Sequence, residues 1–143
     1  MMENIPKIQY GGILITEGEK FSIIAAKTNQ NTCPFYDEYF LRFYQKEDRK
    51  SEVVRLSALF QKFSDRGPWN DPTQLKPLGD GFYEFKIKTG LRVFFYYDES
   101  NRQVVVLTHA FHKKSQKTPP KELERMKQIK KDFEEFRKIK RVK

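Results

Sequence analysis

The chain has one cysteine, two histidines and no long apolar run, and each shortage removes a class of function. A lone Cys33 cannot close an internal disulfide, and two histidines beside it cannot complete a zinc site of the usual N/S type. With no histidine near it in sequence, Cys33 reads as a small buried hydrophobe rather than a nucleophile. No stretch approaches the roughly 20 apolar residues of a membrane helix, and the N-terminus lacks a basic region followed by an apolar segment. A cytoplasmic protein with no membrane partner is expected. Glycine-rich phosphate loops, GxSxG turns, HExxH pairs and acidic metal clusters are missing as well. Nucleotide hydrolysis, serine hydrolysis and two-metal nuclease chemistry therefore lack their parts, and no cofactor is expected.

What the chain does have is aromatic residues and positive charge. Thirteen Phe, seven Tyr and one Trp supply large buried areas, so a chain of 143 residues can build one core although its aliphatic share is modest. The expected division is an arm or extra strand over residues 1–18 and a single domain over 19–143. The net charge of +9 is uneven: residues 113–143 hold thirteen Lys and Arg against five Asp and Glu, and residues 1–112 hold fifteen against fourteen. A field concentrated at one end attracts polyanions, RNA or DNA foremost. A solvated tail, or a helix whose cations only keep it soluble, would give the same count.

Periodicity predicts a strand over 21–27 and two helices, or one bent helix, over 34–66, with Pro34 in the first turn and Ser51 capping a second start. Gly67 and Pro68 end that segment. "GPWNDPTQLKPLGDG" reads as a loop. Three strands follow, at 82–88, 91–97 and 103–110, with gaps short enough for an antiparallel meander. A helix over about 120–139 opens at Pro119-Pro120 and carries Leu123, Met126, Ile129, Phe133, Phe136 and Ile139 along one stripe. No internal repeat is present. The order of elements predicts an α+β fold.

The two-residue period puts Glu84 and Lys86 on one face of the first meander strand, a polar face available for chemistry. Arg92 is the sole cation in an apolar strand, so it must answer a phosphate or a carboxylate; a structural pair with Glu84 is the alternative. The run "AFHKKSQKTP" places His112, Lys113, Lys114 and Lys117 at a strand mouth with no carboxylate among them. Cations, one histidine and a few carboxylates are what a metal-free ribonuclease uses. The RNA 2′-hydroxyl is itself the nucleophile, so the protein only positions the strand, moves two protons and stabilises the pentacoordinate phosphate. His112 is a candidate for proton transfer or for plain RNA contact. His109, inside the strand, reads as a hydrogen-bonded packing residue.

The segments "PLGDGFYEFKIKTGLRVFFYY" and "VVVLTHAFHKKSQKTPPKELERMK" resemble the HigB-like, phage-related branch of the RelE/ParE toxin superfamily. The resemblance is strong over about 75–128, loose over 34–66 and absent over 1–18. It implies a RelE-like fold, in which a curved antiparallel sheet of an N-terminal strand and the three-stranded meander packs on a helical pair and a C-terminal helix. It also implies a type II toxin that cuts mRNA in the A site of the small ribosomal subunit without a metal. Glu84, Lys86, Arg92, His112 and Lys113 become the catalytic candidates, and Lys88, Lys114, Gln116 and Lys117 the RNA-binding ones. Relatives of the RelE type carry a base-stacking tyrosine after the basic segment and a lysine at the position of Glu84. This chain has no aromatic residue between Phe111 and Phe133, which passes proton transfer to Glu84 and His112. The implied partner is a cognate antitoxin, a small helix-turn-helix DNA-binding protein. A gyrase inhibitor of the ParE kind, or a non-catalytic nucleic-acid binder, is the competing reading.

Overall fold

A computed structural model describes residues 6–115 and 117–142, the last four by backbone alone. The strands are β1 (Ile8–Gln9), β2 (Gly12–Glu17), β3 (Ser22–Ala25), β4 (Leu75–Gly79), β5 (Phe82–Lys86), β6 (Leu91–Tyr97) and β7 (Val104–His112). They form one seven-stranded sheet in the order β1-β2-β3-β7-β6-β5-β4. Every neighbouring pair is antiparallel except β3 and β7, whose parallel register sets Ile23 beside Val105 and Ile24 beside Val106. A π-helical turn, Phe35–Phe40, continues into α1 (Leu41–Phe43); a 3-10 turn, Glu47–Arg49, leads into α2 (Lys50–Arg66), and α3 (Pro120–Val142) closes the chain.

Both faces of this sheet are covered. On one face, Ile23, Leu91, Val93, Phe95 and Leu107 pack against Phe35, Leu56, Phe60 and Phe63 of the helices before β4. On the other, Ile24, Phe94, Tyr96, Val104 and Val106 pack against Met126, Ile129 and Phe133 of α3. A strand buried on both sides has no polar face, which is why β6 and β7 read as nearly continuous apolar runs. Phe63 is the hub of the first layer, with ring centroids of Phe21, Phe85 and Phe95 at 5.1, 5.5 and 5.7 Å. Truncating such a ring to alanine costs about 3–5 kcal/mol.

The meander and the α3 stripe follow the predicted pattern, although the side chain of Ile139 lies outside the described residues. Four expectations are corrected. The predicted loop contains β4, which pairs with β5 on one side only. Pro77 lacks the N–H that an outer neighbour would need, so a Pro-containing segment is stable there as an edge strand. The sheet is also wider at the other edge, where β1 and β2 join through a turn at Tyr10 and Gly11, both at positive φ, so it exceeds one N-terminal strand plus a meander. Ser51 caps nothing: α2 begins at Lys50, and its N-cap position is Arg49. The first meander strand stops at Lys86, because Ile87–Gly90 forms the turn into β6, with the Gly90 amide donating to Ile87 O at 3.0 Å.

A buried ionic cluster fixes α3 to the sheet. The Arg137 guanidinium donates to Asp98 at 3.1 and 3.2 Å, to Glu134 at 2.5 and 2.6 Å and to the carbonyl of Tyr10 at 3.3 Å, and the Tyr96 hydroxyl donates to Glu134 at 2.7 Å. His109 is buried with Nε2 2.9 Å from Glu122 of α3, and its burial depresses its pKa.

Candidate nucleic-acid interface

The turn between β5 and β6 organises the basic end of the sheet. Gly90 sits at φ +99°, a conformation that disfavours any side chain, and its carbonyl accepts from the Lys113 amide at 2.7 Å. This bond carries the chain past the end of β7 and sets Lys113 beside the turn. Arg92, the second residue of β6, folds its guanidinium back over the turn and donates from Nη1 to Leu91 O at 2.9 Å and Ile87 O at 3.2 Å. Gly90, Arg92, Lys113, Lys114 and Ser115 together line an open cavity of about 550 Å³. Among the described residues, three cations and no carboxylate line it.

Behind Arg92 lies Glu84, only 2% exposed, with Oε1 4.0 Å from the Arg92 Nε. That gap is too long for a hydrogen bond, and both atoms are buried without another partner. Burial holds the Glu84 carboxyl above its ordinary pKa, although Arg92, Lys86, Lys113 and Lys76 pull the other way. Lys86 is the register partner of Arg92. Its burial, then the Arg92 charge, depress the Lys86 pKa, and its Nζ donates to Pro72 O at 3.1 Å.

Strand alternation separates His112 from this group. Arg92 is registered with Phe111, which packs on the α3 face, whereas His112 is registered with Leu91 on the α2 face. There the His112 Nε2 lies 3.0 and 3.1 Å from the two oxygens of Glu52 and 3.1 Å from Arg49 Nη1. Glu52, 2% exposed, also accepts from the Tyr39 hydroxyl at 2.8 Å and from the Thr89 hydroxyl. Burial opposes its ionisation, but the bonds from Thr89, Tyr39 and His112 hold its pKa below the ordinary value. One carboxylate thus ties α2, the β5–β6 turn and the end of β7 together. Sequence reasoning did not single out Glu52. Its signal is a carboxylate four residues before Leu56 on the buried stripe of α2, where a charge needs partners.

The remaining candidates are dispersed. Lys117 is exposed, and its carbonyl accepts from Ser115 Oγ at 3.1 Å. Gln116 lies outside the described residues. Lys88, exposed in the turn, lines a different groove together with Lys86. Cys33 is buried, its thiol pushed up to about 12 chiefly by that burial. Among the described residues no helix is long and apolar enough to cross a membrane.

The family model described as "Phage derived protein Gp49-like (DUF891)" matches residues 41–131. No curated protein matches the chain. The matched span begins at α1 and ends inside α3, so it includes Glu52, Glu84, Arg92 and Lys113 and excludes β1, β2 and β3. It covers more than half of the 143 residues, and the protein therefore belongs to the Gp49-like family of toxin-like proteins associated with toxin–antitoxin modules.

Proposed function

We propose that this protein is the toxin of a type II module, a ribosome-dependent mRNA endoribonuclease of the HigB-like branch with a RelE-like fold, acting without a metal in the A site. The observation that carries the reading is the convergence of Arg92, Lys113 and Lys114 on one open cavity beside the buried Glu84. A phosphate answers three cations that no carboxylate in the cavity neutralises.

In the reaction, the RNA 2′-oxygen attacks the adjacent phosphorus as its proton leaves. The bond from phosphorus to the 5′-oxygen breaks, and the leaving oxygen takes up a proton, giving a 2′,3′-cyclic phosphate and a 5′-hydroxyl. Arg92 and Lys114 stabilise the charge that accumulates on the equatorial oxygens. Lys86, with its depressed pKa, accepts the 2′-hydroxyl proton, and the Lys113 ammonium protonates the leaving oxygen. Glu84 is a positioning residue: buried behind the guanidinium, it aims Arg92 at the phosphate. His112, on the far face, holds the end of β7 through Glu52 and so positions Lys113. The domain over residues 19–143 carries this chemistry in the cytoplasm, with Lys88, Gln116 and Lys117 adding RNA contacts, and a helix-turn-helix antitoxin silences it.

Induced expression tests the reading, scoring growth and mRNA 5′ ends for wild type, Arg92→Ala, and Lys113→Ala with Lys114→Ala. Arg92→Ala lowers cleavage on programmed ribosomes by about 10²–10³-fold, the range for losing one oxyanion-stabilising donor. Equal toxicity in all three proteins would remove the site. Intact mRNA together with blocked gyrase supercoiling would select the ParE-like reading instead.

A further inference from the structure

A second groove lies across the β5–β6 turn from the cationic cavity, between α2 and the start of β4. It has a volume of about 390 Å³, within the roughly 300–1,000 Å³ of small-ligand sites, and is lined by Arg55, Ala58, Leu59, Thr73, Gln74, Lys86, Ile87 and Lys88. Its chemistry is divided in a way that suits one kind of occupant. Ala58, Leu59 and Ile87 offer apolar surface, and Arg55 and Lys88 offer two positive charges with no carboxylate among the lining residues. The Gln74 Oε1 already accepts from Trp69 Nε1 at 2.9 Å, which orients the Gln74 amide group and leaves its N–H bonds as donors.

Lys86 links the two places: it lines this groove, and its register partner Arg92 lines the cationic cavity. A flexible polyanion that has one phosphate at Arg92 would reach the groove by passing Lys86 at the end of β5. Apolar surface flanked by cations matches a nucleobase joined to its phosphates, because a base presents a flat face and the sugar-phosphate chain presents the charge. We propose that the groove between α2 and β4, formed by Arg55, Leu59, Gln74 and Lys88, is a subsite for one unpaired nucleotide flanking the linkage held at Arg92. Arg55 and Lys88 take its phosphates, Leu59 and Ile87 take its base, and Gln74 donates to a base-edge acceptor.

This inference rests on RNA as the substrate, and its test separates it from cleavage itself. The probe is a fluorescein-labelled 2′-O-methyl RNA 12-mer, which lacks the attacking hydroxyl and cannot be cut, bound to the full chain across a salt series. Arg55→Ala with Lys88→Ala weakens binding about tenfold and flattens the slope of log K against log[salt] by about 1.4, the effect of two fewer phosphate contacts to a single strand. Leu59→Glu weakens binding of the intact oligomer more than of an abasic oligomer of equal length. These side chains are exposed or half-buried, and thermal melts verify that the variants fold. Failure of the wild type to bind, or equal affinity and salt slope in wild type and double variant, overturns the subsite. Equal losses on intact and abasic oligomers would reduce it to a charge patch and likewise overturn it. If the wild type binds as described but leaves mRNA on ribosomes intact, the nuclease reading falls and the groove stands.

Discussion

Arg92 Nε and Glu84 Oε1 face each other at 4.0 Å, both buried and neither hydrogen-bonded. A finished structural ion pair would close that gap, because leaving either partner unsatisfied costs about 1–3 kcal/mol. The guanidinium is instead drawn toward the turn carbonyls of Ile87 and Leu91, with its edge at the open cavity.

Glu84→Gln separates structure from function. A carboxyl whose folded pKa exceeds its unfolded value binds more protons when folded, so its contribution falls as pH rises from the unfolded pKa, near ~4.3, through the folded one. Above that window the ionised Glu84 destabilises the fold. Glu84→Gln is therefore more stable than wild type at pH 8, by about 1 kcal/mol or roughly 3 °C in Tm at this chain length, and the difference fades at pH 4. Cleavage falls, since an amide aims Arg92 less firmly. Urea titrations at the two pH values, beside a cleavage assay, read both effects; a less stable variant at pH 8 would contradict the account.

Glu52 has the opposite sign. Its folded pKa lies below the ordinary value, so its contribution is present above the unfolded pKa near ~4.3 and is lost as pH falls through the folded pKa. Glu52→Ala strands Tyr39, Thr89, His112 and Arg49 and costs about 3 kcal/mol at pH 7. The loss shrinks in acid. Chemical denaturation of wild type and variant between pH 3 and pH 7 tests this, and a loss independent of pH would assign the effect to packing alone.

Gly90→Ala joins two penalties in one substitution. The backbone is at φ +99°, and a Cβ there would meet the Lys113 carbonyl at 2.9 Å. A cost of about 1–3 kcal/mol is expected from the backbone strain. The displacement of Lys113 lowers cleavage further than unfolding accounts for, which a comparison of Tm with rates measured well below Tm will reveal.

Cys33 is inert in the native state. A buried thiol raised to about 12 carries almost no thiolate at pH 8. Iodoacetamide labels it slowly until denaturant is added, at which point labelling becomes stoichiometric by mass spectrometry. Rapid native labelling would show that the layer between β3 and α2 opens locally.

Some of this was written in the chain. Period-2 and period-3.6 patterns located β5, β6, β7 and α3, because long apolar stripes have few alternatives. The same alternation put Glu84 and Lys86 on one face, and the solitary charge of Arg92 marked it as a group needing an anion. The loss of β4 to a predicted loop had a physical cause: proline and glycine oppose a central strand but not an edge strand, and edge position is a property of the assembled sheet.

Local sequence determined which residues alternate, where the turns fall and which end of the molecule is positive. Tertiary structure decided which charges meet. His112 and Lys113 are adjacent in the chain, yet alternation sends the first to Glu52 on the α2 face and leaves the second at the cavity of Arg92. The parallel joining of β3 to β7, which seats the N-terminal strands beside the meander, was likewise invisible. Such pairings depend on contacts between residues dozens of positions apart, whose energies emerge only when both layers of the core close on the sheet.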